Sequence, residues 1–141
     1  VEGSAVQDLQ KQIDAIEDAY EFMLAYAAQG LSTHEASKTG AELRGFLGRA
    51  EVALELLPEL FGAVVRERDP ADVKPYQDFV VVLREDARRA GAALRLTLAQ
   101  PAISSQLIDN LNASIHLRAL LTDVFLLDEV IAPRQPAAAP A

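Results

Sequence analysis

One spacing recurs along this chain and limits what it can become. Val6, Leu9, Ile13, Ile16, Tyr20, Met23 and Ala27 follow one another at alternating steps of three and four residues. Leu43, Leu47, Ala50, Leu54, Leu57, Phe61 and Val64 repeat the pattern, as do Tyr76, Val80, Leu83, Ala87, Ala90, Leu94 and Thr97. A fourth stretch carries Leu117, Leu120, Val124, Leu127 and Ile131. Such steps gather side chains into one stripe of an α-helix and would scatter them over both faces of a strand. Each stripe must be covered, and the economical cover is another helix bearing the same stripe. No segment alternates as a half-buried strand would. The expectation is an all-α, up-down-up-down antiparallel four-helix bundle occupying residues 1–133 as a single domain.

Punctuation sets the boundaries. Ser4 can cap a first helix over about 5–29, and Gly30 can stop it. The second helix, about 37–67, has Thr33 and Ser37 as competing starts. Pro58 removes one backbone bond within it and predicts a kink there. Asp72 and Pro75 open a third helix over about 73–99, whose Gly91, with Ala87 and Ala90, predicts a close helix approach. The fourth helix is expected over about 104–132, opening at Ser104-Ser105 and stopped by Pro133. Residues 134–141 are Ala/Pro-rich and are expected to be disordered.

The fourth helix has more apolar positions than one covered face needs. Beside its main stripe runs a second, Leu111, Leu121 and Phe125. The surplus points to an interface, with Leu117, Leu120, Val124, Leu127 and Ile131 as the contact stripe of a two-fold homodimer.

Charge is unevenly shared. The chain carries a net −8, which argues against nucleic acid and anionic membrane as partners. No run approaches the roughly 20 apolar residues of a membrane span. Residues 1–30 hold one Lys against six acids, and residues 101–132 one Arg against four. Residues 73–100 hold five basic and three acidic side chains. The side made by the first and last helices is therefore acidic, a solvated face or a docking face for a basic protein. The absence of cysteine excludes disulfides and thiolate chemistry and leaves the compartment open; a cytoplasmic location is the expectation, and the start at Val1 leaves room for a removed leader.

Residues that could carry chemistry are sparse. Neither His34 nor His116 has a Glu three residues before it, so the Glu-x-x-His pairs of di-iron bundles are missing. His34-Glu35-Ala36-Ser37-Lys38-Thr39-Gly40 has the residue types of a phosphotransfer helix at a different spacing, beside a loop. Arg84, Arg88, Arg89 and Arg95 could cradle an anion, although Glu85 and Asp86 favour ordinary surface pairing. Asn112-Ala113-Ser114 matches a glycosylation triplet and reads as chance within a helix. Leu9-Gln10-Lys11-Gln12-Ile13-Asp14-Ala15-Ile16-Glu17 resembles the first helix of the all-helical chorismate mutases, over that helix alone. The resemblance implies arginines that hold the substrate carboxylates. Gln10 and Ala27 stand at their places, so the clamp is missing and the activity does not carry over.

These observations lead to a non-enzymatic helical interaction protein, an adaptor, regulator or assembly factor, that self-associates and needs no cofactor, metal or catalytic residue. The alternative is a small-molecule-binding bundle whose apolar pocket takes its polar groups from Tyr20, Tyr26, Tyr76 and His116, with the bend at Pro58 opening it. A phosphotransfer or chorismate-mutase-like domain ranks behind both.

Overall fold

A computed structural model describes residues 4–132, apart from the side chains of residues 34–39. The predicted disorder of residues 134–141 and the role of His34 lie outside what is described. Among the described residues the chain forms five α-helices and no strand: α1 Ser4–Ala28, α2 Thr33–Arg68, α3 Lys74–Leu98, α4 Ser105–Ala113 and α5 Ile115–Ile131. The first three pack antiparallel in chain order. α4 lies chiefly on α1, and α5 chiefly on α3.

The heptad stripes become the core. Leu9, Ile13, Leu43, Leu47, Leu57, Leu83, Ile108 and Leu120 are fully enclosed. Two turns use a left-handed residue: Gly30 (φ 66°) after α1 and Asp69 (φ 45°) after α2. Glycine takes that conformation at no steric cost, and Asp is among the few other residues that tolerate it. At the start of α3 the Asp72 carboxylate accepts from the Lys74 amide at 3.2 Å, and Pro75 sits in the first turn. Proline loses nothing there, because that N–H has no helical partner.

α2 continues as helix through Pro58, which is itself buried, so the proline does not end it. One expectation about the third helix needs revision. Gly91 does not serve a close helix approach. A Cβ there would meet the Arg95 guanidinium at 3.1 Å, so the missing side chain gives that arginine its path across the helix.

The expected fourth helix is two helices. Ser114 adopts φ −60°, ψ 130°, ending α4 and starting α5. Its amide donates to the Leu111 carbonyl at 3.0 Å, and its hydroxyl accepts from the His116 amide at 3.3 Å. A serine hydroxyl offers the backbone an alternative to the helical bond, which favours caps over helix interiors. The polar run Asn110, Asn112, Ser114 is the sequence signal for this break.

Side-chain clasps fix both ends of the assembly. Arg44 of α2 donates to the Leu98 and Gln100 carbonyls at the end of α3. Arg68, the last residue of α2, donates to the Val130 and Ile131 carbonyls at the end of α5, each at 2.7 Å. Between the α1–α2 and α3–α4 connections, the Ser105 hydroxyl donates to the Tyr26 carbonyl at 2.6 Å and accepts from the Leu31 amide at 2.8 Å. The last carbonyls of a helix have no internal partner, so these donors satisfy groups that the fold would otherwise leave bare.

Candidate functional site

The stripe expected to meet a second copy is core. Leu117, Leu120, Val124, Leu127 and Ile131 are 5, 0, 0, 1 and 2% exposed within the single chain. Leu111 and Leu121 of the second stripe are buried as well, and only Phe125 reaches solvent. One helix hides two stripes here because α5 packs chiefly on α3 and also meets α4 and α1. The apolar surface that does remain outside is different. Leu126 and Val130 of α5 are 51% and 44% exposed. By helical spacing they lie on the flank facing α3, whereas Phe125 lies on the far flank.

That flank forms a groove of about 280 Å³ between α3 and α5. Its walls are Pro75, Tyr76 and Phe79 from α3 and Leu126 and Val130 from α5, with Phe61 of α2 at the floor. Phe61 and Phe79 meet edge to face at 6.4 Å, a favourable quadrupole geometry that stiffens the floor. Val82, 45% exposed, continues the same face of α3 one turn further on. A smaller hollow of about 60 Å³ lies alongside, bounded in part by Val64, Pro70 and Tyr76.

The four polar residues expected to share a pocket do not meet. Tyr26 is 2% exposed and its hydroxyl donates to the Ile103 carbonyl at 2.6 Å, tying α1 to the start of α4. His116 is exposed on the first turn of α5, and Tyr20 is half-buried against the core. Tyr76 alone lines an apolar groove, at the other end of the molecule from Tyr26.

A depression does adjoin Pro58, of about 290 Å³, but its walls are charged. Arg84 reaches Glu59 at 3.3 Å and Arg95 reaches Glu51 at 3.6 Å across it. Arg88 and Arg89 both hold Glu85, at 2.9 and 3.1 Å. The arginines are therefore spent on ion pairs between or along helices, and Arg88 keeps the Glu85 carboxyl below its ordinary range. A wider, shallow trough between α1 and α2 is crossed by both signs of charge, Lys11 and Arg49 against Asp14 and Asp18. There Gln10 donates to Asp14 at 2.9 Å. Among the described residues, no group of three or more His, Asp or Glu stands together as a metal site would need, and no helix is long and apolar enough to cross a membrane.

Sequence reasoning missed one feature entirely. Asp123 of α5 is 6% exposed and faces Asp86 of α3. Its Oδ2 is sealed from solvent and receives no donor. Burial first, then the facing Asp86, pushes the Asp123 carboxyl up to about 7. Elsewhere on α5, Asp128 stands near Glu17 of α1. Burial, then Asp128 and the neighbouring Asp14 and Asp18, raise Glu17 above its ordinary value. The sequence hint was a lone Asp123 at a core-edge position between Leu120 and Leu127.

Comparison with family models, characterised proteins and solved structures finds no match to this chain.

Proposed function

We propose that this chain is a non-enzymatic helical interaction protein, an adaptor, regulator or assembly factor, that self-associates through the α3–α5 groove. On this reading α4 and α5 together take the place of the fourth helix of an up-down-up-down bundle. The observation that carries it is the row of exposed apolar side chains, Val82, Leu126 and Val130, beside the aromatic walls Tyr76 and Phe79. Scattered exposed apolar residues are ordinary, but a contiguous patch on two neighbouring helices is the kind of surface that partners cover. A two-fold arrangement would set α3 and α5 of one copy against the same pair of the other.

Light scattering on the purified chain tests this. A dimer at micromolar concentration that Leu126→Asp converts to a folded monomer supports it. A strict monomer up to high micromolar concentration removes it.

A second reading is favoured by Tyr76, the one lining residue with a polar side-chain group in an otherwise apolar groove. The groove would then take a small apolar ligand with one polar group, near the lower size limit of such sites. A ligand bound only by the folded state raises the melting temperature, so a thermal-shift screen separates the two readings. A basic protein would instead meet the acidic side, where Glu17 and Asp128 stand together.

A further inference from the structure

α5 is unusual in how its flanks are held. An interhelical contact between charged residues normally pairs opposite signs, as Arg84 with Glu59 and Arg95 with Glu51 do between α2 and α3. On α5 both flanks instead set acid against acid: Asp123 against Asp86 of α3, and Asp128 against Glu17 of α1. Two facing carboxylates repel when both are ionised, and a proton on one of them removes that repulsion. Asp123 has the further constraint of an Oδ2 atom buried without a donor. A proton on that oxygen turns an orphan acceptor into a donor.

Among the described residues, no Lys or Arg forms an ion pair with Asp123 or Asp86. Positions three and four residues from Asp123 are Ala119, Leu120, Leu126 and Leu127. On α3, Arg88 and Arg89 flank Asp86 on its C-terminal side and are drawn to Glu85. The charges acting on Glu17 come from Asp128, Asp14 and Asp18, all of them acidic. From α2, Arg68 is committed to the terminal carbonyls of Val130 and Ile131. Ser114 already interrupts the helix at the start of α5.

We propose that the docking of α5, and with it the groove that α5 shares with α3, is regulated by protonation: the buried Asp123 carboxyl, facing Asp86, holds α5 down while it keeps its proton. Losing that proton loosens α5 from α3 about the Ser114 break. By helical spacing, Asp86 and Asp123 continue the two faces that carry Val82 and Leu126, so the carboxyl pair marks one end of the patch. The effect on self-association rests on the reading given above; the effect on α5 does not.

The test is amide hydrogen exchange on the full chain between pH 5 and 8, corrected for intrinsic exchange and resolved by segment. Docked α5 binds a proton that undocked α5 releases. Its opening constant should therefore rise by up to about tenfold per pH unit as pH approaches about 7, then level off. Asp123→Asn keeps the shape and supplies an amide donor to Asp86, so its α5 opening should lose most of that slope. An α5 protection that stays constant over this range in the wild type overturns the proposal, as does an Asp123→Asn protein with the wild-type slope. Should that variant fail to fold, the Asp123 Cγ resonance is followed in the wild type, where a midpoint near the ordinary carboxylate value of about 4 overturns it. Light scattering on the same samples keeps the readings apart. A monomer with pH-dependent α5 sinks self-association alone, and a dimer with pH-independent α5 sinks the proton mechanism alone.

Discussion

The Arg68 guanidinium donates to the Ile131 carbonyl at 2.7 Å, so the last residue of α2 caps the last turn of α5. Its second bond, to the Val130 carbonyl at 2.7 Å, makes the contact two-pronged and fixes where α5 ends. Both carbonyls are among those that a helix leaves without an internal partner, and a cation there also favours the helix dipole.

Removing that cap should loosen the end of α5 without unfolding the chain. Arg68→Ala is expected to cost about 1 kcal/mol, because the site is partly exposed. Urea unfolding read by circular dichroism should show the shift in midpoint with an unchanged slope. Arg68→Lys should recover only part of the loss, since one ammonium cannot reproduce the two-pronged fork.

The Tyr26 hydroxyl lies in a stricter setting. It is enclosed and serves the carbonyl of Ile103, so Tyr26→Phe leaves a buried acceptor without its donor. The expected cost is about 1–3 kcal/mol. Ser105→Ala should cost a similar amount, because it removes one donor and one acceptor from the same junction. The two losses should not add, since both variants open one shared network. A double-mutant cycle in urea measures the difference.

Stability should fall as pH rises from about 4 toward 7. The folded Asp123 carboxyl holds its proton up to about 7, while the unfolded one releases it near 4. Over that interval the folded state binds the extra proton, so each rise in pH favours unfolding; below it neither form has lost a proton, and above about 7 both have. Glu17, raised for the same reason, adds a contribution of the same sign. Asp123→Asn should flatten the profile and melt several degrees above the wild type at pH 8, as thermal denaturation across that range would show.

Two leucines six residues apart should behave oppositely. Leu120 is fully enclosed and Leu126 is half exposed. Leu120→Asp puts a charge into the core and should abolish cooperative folding. Leu126→Asp should change stability by less than about 0.5 kcal/mol and act only on association. Circular dichroism and light scattering on both variants check this pair.

The sequence was informative where one helix decides its own fate. The three-four steps through Leu9, Ile13, Leu54, Leu83 and Leu94 identify buried faces, because periodicity is a property of a single helix. It was uninformative where two helices must be aligned. Nothing in the chain says that Asp86 faces Asp123, since that depends on the relative register of α3 and α5. The contact stripe failed for a related reason. Counting the apolar residues of α5 assumes how much of a helix its neighbours cover, and here they cover both Leu120 and Leu121. The break at Ser114 was written in the residues, as a run of weak helix formers, but the strong apolar pattern on either side outweighed it.

The junction of Tyr26, Leu31, Ile103 and Ser105 also bears on the order of assembly. Its hydrogen bonds join residues more than seventy positions apart, so closing them carries a large chain-entropy cost that no local contact offsets. α1, α2 and α3 connect through short turns and can pair as they form, whereas α4 finds its seat only once α1 is in place. A kinetic experiment should therefore place Tyr26→Phe on the unfolding limb, with refolding nearly unchanged.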